Sequence, residues 1–449
     1  NPPPAIGTTK VVQPAEASKP GEPLKFADAA ALLTALETAD KSDRRQGRGE
    51  LGLTPEIDPR NDTGGIRLPE FKFLAGLERE DRKSIYWTPA LGYNTHDGWM
   101  GGLVLHNTTL PSQRFEWVAA PMFGTHSERL AGGARFVWNH DRIRSGALRN
   151  LHIGISAFAA SLLSTRGVDQ WYQREVPFMQ VDPRSAPNGV RTNIRYRAIA
   201  IQQHAEGSYA IGDRELAVNE VTHDLFHELR LAAARQQGLH PFNADLTALH
   251  HDAFTRLSLD AEWNAIYDVH KHRLSLRFFG GTFLDKHAQD FTTAMGWRLY
   301  WGSSDLLYDH LFFDRQNVGE NTARQFVKDQ GGFKTPTAFG TSDTWIAAMN
   351  MEFDLPFRLP LSIFASYGAA PYTTITANGR TTDWNGYWEM GIGVRVVRDV
   401  VEMWVPLAFS DDIRNELETV RGLTFTDRVR FVFALERMDP TQALRKAPH

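Results

Sequence analysis

Three kinds of residue in this chain are spaced so that chemistry has to be considered: paired histidines, a short acidic run and rows of arginine. His223 and His227 stand four apart, and Glu228 follows directly. On a helix, two histidines one turn apart share a face and can hold one metal ion, with a neighbouring glutamate as base toward bound water. That chemistry requires the order His-Glu-x-x-His. Here Leu229, Arg230 and Leu231 follow Glu228, so the second histidine is missing. The local pattern also predicts a strand, because Val221, Leu225 and Leu229 share a parity opposite to Glu220, Thr222, Asp224 and Glu228. Four strand residues span about 13 Å, too far for one ion, which leaves both histidines as wall residues on the apolar face. His250 and His251 fall in an expected hairpin turn. Asp305, Asp309 and Asp314 offer the oxygen ligands that Ca²⁺ takes, although solvated loop charge is the ordinary account of such a run and the one preferred. Arg191, Arg195 and Arg197 would either line an anion-selective lumen or pair with facing carboxylates such as Asp260 and Glu262 in a plugged one. Neither a G-x-S-x-G elbow nor a phosphate-cradling Gly-rich Lys loop is present. The sequence therefore predicts no catalytic residue, no cofactor and no metal ligand.

The elements that would carry these residues are strands. Seven stretches alternate apolar and polar residues: Phe115–Phe123, Leu130–Trp138, Thr192–Gln202, Thr255–Tyr267, Trp345–Phe353, Glu389–Val396 and Val429–Leu435. Runs of about ten such residues suit a tilted strand that crosses a bilayer and shows alternate faces to lipid and lumen. Around Thr192–Gln202 the polar face is Arg191, Asn193, Arg195 and Arg197, too charged a row for a packed soluble core. Turn clusters at Asn94–Gly98, Asp182–Gly189 and Asn378–Asn385 separate the runs, and Asp314–Thr344 and Pro406–Thr424 are expected to be long external loops. The fold class expected is all-β: a transmembrane antiparallel β-barrel of about sixteen strands, an even count being the rule for bacterial barrels.

Composition agrees. Of 449 residues 42% are hydrophobic, with 12 Trp, 27 Phe and 11 Tyr, yet mean hydropathy is −0.37. No run approaches the roughly 18 apolar residues of a spanning helix, whereas a barrel hides its hydrophobicity in alternation. A net charge of −4 gives no electrostatic reason to expect a nucleic-acid partner. Cysteine is absent, which removes thiolate zinc sites and disulfides. The chain opens Asn1-Pro2-Pro3-Pro4 without Met or a leader, as expected of a processed chain or fragment. Residues 1–67, rich in Pro, Gly and charge, read as a linker or tether with one short helix at Phe26–Thr38. The barrel is expected over 68–440 and a tail over 441–449.

Several segments resemble a known module: Phe71–Leu77 (FKFLAGL), Tyr86–Asn107, Phe115–Gly133, Leu274–Leu284 (LSLRFFGGTFL), Gln325–Lys334 (QFVKDQGGFK), Trp345–Pro360 and Asp427–Leu435. The module is the C-terminal outer-membrane β-barrel of Bacteroidota-type metallopeptidases related to the M1 aminopeptidases. The resemblance implies outer-membrane localisation, contact with outer-membrane lipid and a soluble peptidase-like partner domain or chain. Members carry HExxH on helices ahead of the barrel; this chain has none. It would therefore anchor, and gate for, a catalytic part that it does not itself contain. An alternative is an Omp85-type translocation or assembly barrel: Val420-Arg421-Gly422 is similar to the tripeptide of that group's inserted loop, although here it stands directly before the final strand. A stand-alone channel and a soluble multi-sheet binding protein complete the alternatives.

Overall fold

A computed structural model describes residues 69–433 apart from 75–82, 109–112, 141–146, 166, 185–188, 212–213, 289–294, 301–305, 308–323, 358 and 377–378. The 1–67 linker with its helix, the acidic run Asp305, Asp309 and Asp314, and the 441–449 tail lie outside the described residues. Among the described residues, seventeen strands form one sheet. They are β1 (Glu70–Phe73), β2 (Ser84–Asn94), β3 (Gly98–His106), β4 (Phe115–Gly124), β5 (Leu130–His140), β6 (Leu148–Thr165), β7 (Val168–Pro183), β8 (Arg191–Ile211) and β9 (Arg214–Arg235). There follow β10 (Phe242–His251), β11 (Phe254–Ile266), β12 (Arg273–Lys286), β13 (Trp345–Asp354), β14 (Leu361–Thr376), β15 (Gly379–Val397), β16 (Val401–Phe409) and β17 (Arg430–Phe433). From β2 onward each strand pairs antiparallel with the next, so the sixteen expected strands are β2–β17. The seventeenth is β1, which pairs with β2 in parallel, Glu70 opposite Ser84. No described helix is long and apolar enough to cross a membrane.

The alternation read from sequence is the alternation of the wall. On β15, Trp388, Met390 and Ile392 are exposed outward while Glu389 is buried inward. On β9, Val221, Leu225, Leu229 and Leu231 face out and Phe226 and Glu228 face in. Ladder partners continue each apolar row across strands, as in Ile194, Leu231, Leu246 and Leu259. Exposed aromatics stand near both ends of the strands: Trp99, Phe123, Trp345 and Trp384 at the rim bearing the β2–β3 turn, here the upper rim, and Trp87, Phe115, Trp138 and Trp263 at the lower. An apolar outer band between two aromatic girdles around a charged interior is the anatomy of an outer-membrane β-barrel.

Four expectations are corrected. The β12–β13 connection is not simply an external loop: from Gln325 to Thr337 it is almost continuously buried. Its apolar residues, Phe326, Val327 and Phe333, have no solvent-safe face and are stable only inside the barrel. Pro406–Phe409 completes β16 and is not loop. The segment after it forms α1 (Asp411–Asn415), a π-helical turn (Glu416–Val420) and α2 (Phe425–Arg428), with Ile413 and Leu417 fully buried. The turn expected at Asn378–Asn385 is mostly strand, since Gly379–Asn385 pairs with Ala370–Thr376. The final strand begins at Arg430, because Arg428 ends α2.

Candidate functional site

The lumen is where the sequence concentrates side chains that cannot face lipid. Two layers fill it. Toward the upper rim, Trp297, Leu299, Tyr300 and Phe333 of the β12–β13 connection pack with wall residues Phe279, Ile346 and Tyr387 and with Ile413 and Leu417 of the β16–β17 segment. Below that lies a charged layer threaded by Lys328 and Lys334. Together they make the connection a plug.

Lys334 is its latch. The residue is 1% exposed. Its Nζ donates to Glu352 Oε1 on β13 at 3.0 Å and lies 4.4 Å from the ring centre of Trp404 and 4.6 Å from that of Phe364. Phe326 of the plug itself adds a third ring at 5.2 Å. Cation–ring attraction strengthens where water is excluded. The backbone is held as well: the N–H groups of Lys334 and Thr335 donate to the two oxygens of Glu389 at 2.8 and 2.7 Å, and Ser366 donates to the same carboxylate. Four consecutive strands, β13 to β16, thus grip one short segment.

The remaining charges extend that grip. Glu352 also accepts from Arg395, which reaches Asp354 at 3.0 Å, and Asp354 in turn accepts from Arg398. Lys328 binds Glu262 at 2.8 Å, and Arg277 holds Asp260 at 2.8 Å and Asn350 at 3.0 Å, while Asn350 donates to the Gly331 carbonyl of the plug. On the far wall the Arg174 guanidinium donates to the Leu306 carbonyl and Arg256 to that of Met295. At the upper rim Arg324 binds Asp427 at 2.7 Å, and Arg421 donates to the Pro336 carbonyl. Asp427 caps α2 through the Thr424 hydroxyl and backbone N–H, and these bonds with Arg324 hold its carboxyl below the usual range.

The arginine row therefore lines the lumen, with different partners from those named in sequence. Arg197 makes a two-pronged contact with Glu228 on the adjacent β9, both bonds at 2.8 Å, and Arg195 reaches the same carboxylate at 3.5 Å. Arg191 is exposed at a strand end. Asp260 and Glu262 go to Arg277 and Lys328 instead. His223 and His227 are on a strand and on its outer side, His223 exposed and His227 2.8 Å from the Tyr196 hydroxyl. His250 and His251 end β10 at the hairpin turn, with His251 Nε2 3.5 Å from Asp224. None of these histidines forms a three-ligand cluster with neighbouring acids among the described residues. Sequence reading missed one group that does, Asp268, His270 and His272 in the β11–β12 turn. An Asp-x-His-x-His spacing was its visible signal.

A hollow of about 390 Å³ lies between Ile194, Leu231, Ala233, Ala244, Leu246 and Leu259. Its lining is the apolar outer face and suits acyl chains.

No family model matches the chain, and no curated protein matches it. Among solved structures it is similar to CdiB from Acinetobacter baumannii, with 9% identity, a TM-score of 0.37 and coverage of 73% of this chain and 56% of that one. BamA from Haemophilus ducreyi lacking POTRA domains 1–3 gives 8%, 0.39, 73% and 67%, and the copper transporter OprC 9%, 0.34, 73% and 56%. The chain thus spans little more than half of the first and third of these proteins.

Proposed function

We propose that this chain is a membrane barrel whose conduit is held shut by its own β12–β13 connection, and that it serves as an anchor with a latched gate. The observation that carries this reading is the burial of Lys334 among Glu352, Phe364 and Trp404, with Glu389 on its backbone. A buried ammonium is tolerated only where it is paired and hydrogen-bonded, so this contact fixes one position of the plug. In planar bilayers the purified barrel is expected to show little steady conductance, and Lys334→Met, which removes the charge while keeping length, is expected to open it often. Equal, large conductance in both proteins would show that the plug does not close the pore.

The finer part of the proposal is that the anchored body is an M1-like metallopeptidase-related domain or chain. It rests on the resemblance of the segments quoted above. Two of them, Leu274–Leu284 and Gln325–Lys334, form part of wall strand β12 and part of the plug. In this reading the chain is not itself an enzyme, having no HExxH, and acts on no nucleic acid. Native mass measurement of gently solubilised protein tests the partnership: a soluble chain or domain docked at a rim is expected. A lone monomer across several mild detergents would favour a self-sufficient channel.

A further inference from the structure

The β11–β12 turn at the lower rim carries a group of side chains that neither wall nor plug requires. Tyr267 N–H bonds to the His272 carbonyl at 3.1 Å and Lys271 N–H to the Asp268 carbonyl at 3.2 Å. Lys271 adopts a φ of +64°, the left-handed conformation that closes the turn. One oxygen of Asp268, Oδ1, is engaged within this frame, accepting the His272 N–H at 2.9 Å. The other, Oδ2, is turned to the imidazoles: it contacts His272 Nδ1 and lies 4.0 Å from His270 Nδ1. The two imidazole rings are 5.9 Å apart, and one ligand atom from each of the three residues falls within 4.8 Å of the others.

We propose that Asp268, His270 and His272 form a binding site for a borderline divalent metal ion of the zinc class. Two imidazoles and one carboxylate are a donor set that such ions take, with the remaining position open to water. The backbone frame fixes the turn, and the about 3.4 Å between ligands of a tetrahedral ion with bonds near 2.1 Å falls inside the 4.8 Å within which the three ligand atoms lie. Packing does not account for His270, whose side chain is 73% exposed and whose neighbours are the other two members of the group. A simple Asp–His turn pair would need Asp268 and His272 alone. Outer support is present too. Tyr267 stacks on His272 at 6.2 Å and its hydroxyl donates to the Asp354 carbonyl, and Arg273 N–H donates to the Asp354 side chain at 3.1 Å. These contacts fix Tyr267 and Arg273, the two residues that flank the turn.

The test is titration of the full chain in detergent with Zn²⁺ against a chromogenic chelator, with Ca²⁺ as the hard-cation control. One Zn²⁺ per chain is expected to be lost in His270→Ala, while Ca²⁺ does not bind there. Heat-shifted gel migration shows whether the variant is folded, and His270→Asn serves if it is not. Zn²⁺ bound elsewhere on a chain with 16 histidines cancels in the difference between wild type and variant. Identical Zn²⁺ stoichiometry and affinity in both proteins, or no binding by the wild type, would overturn the site.

Discussion

At the scale of single residues the latch is asymmetric, and the asymmetry can be measured. Lys334 pairs with Glu352, whereas Glu352 also has Arg395, which in turn has Asp354. Removing the lysine leaves its carboxylate still paired. Removing the carboxylate strands an ammonium in a lumen sealed by Phe326, Phe364 and Trp404. Breaking a buried pair so that one charge is left costs about 3–5 kcal/mol. Glu352→Gln is therefore expected to lower the guanidinium midpoint of the barrel clearly more than Lys334→Met, although both release the plug. The reverse order would mean that the rings alone satisfy the cation.

Among the elements, wall and plug are fitted to each other by missing side chains. A Cβ on Gly281 of β12 would lie 2.8 Å from the Trp297 ring, one on Gly368 of β14 would overlap Leu299 Cδ2, and one on Gly331 would lie 2.5 Å from Leu299 Cα. The first two open notches in the wall for plug side chains; the third lets two stretches of plug backbone meet. Gly331→Ala is expected to push the plug out of register at about 1–3 kcal/mol, read as faster proteolysis of the 324–343 segment. Gly101→Ala, with nothing within 4 Å of the added carbon, is the neutral control.

This fit also explains what was legible. The wall could be read because lipid and lumen impose a period of two, and the parity of Val221, Leu225 and Leu229 placed His223 and His227 correctly on the outer side. Phe326 to Thr335 has no period, because plug residues are buried on all sides, so it resembled a loop. The arginine partners were missed since pairing depends on register: Arg197 faces Glu228 directly across the β8–β9 ladder, a fact no spacing encodes.

For the whole molecule the outer band sets the membrane. Met390 is exposed mid-strand, with Met351 exposed two strands away on the same row, whereas Trp384 stands near the upper girdle. An arginine at the midplane costs about 2–4 kcal/mol and one near the interface about 0–1. Met390→Arg is expected to impair membrane insertion, scored by fractionation and heat-shifted migration, and Trp384→Arg to be tolerated. Similar behaviour of the two would place the band elsewhere.

The bond between the plug and β17 bears on how the wall and its filling are put together. Each wall strand pairs with its neighbour in sequence, so the meander can grow by adding hairpins, with short loop closures except at the β12–β13 and β16–β17 connections. The plug obeys a different rule. Phe326 N–H donates to the Phe431 carbonyl at 2.7 Å, and Arg324 binds Asp427, contacts that join positions about a hundred residues apart. β17 and the seated plug therefore share a register, so the position of β17 also reports whether the interior is filled. A barrel lacking Arg430–Phe433 would keep every hairpin up to β16 and have no Phe431 carbonyl for Phe326 to dock against, so loss of one wall strand would be felt in the lumen.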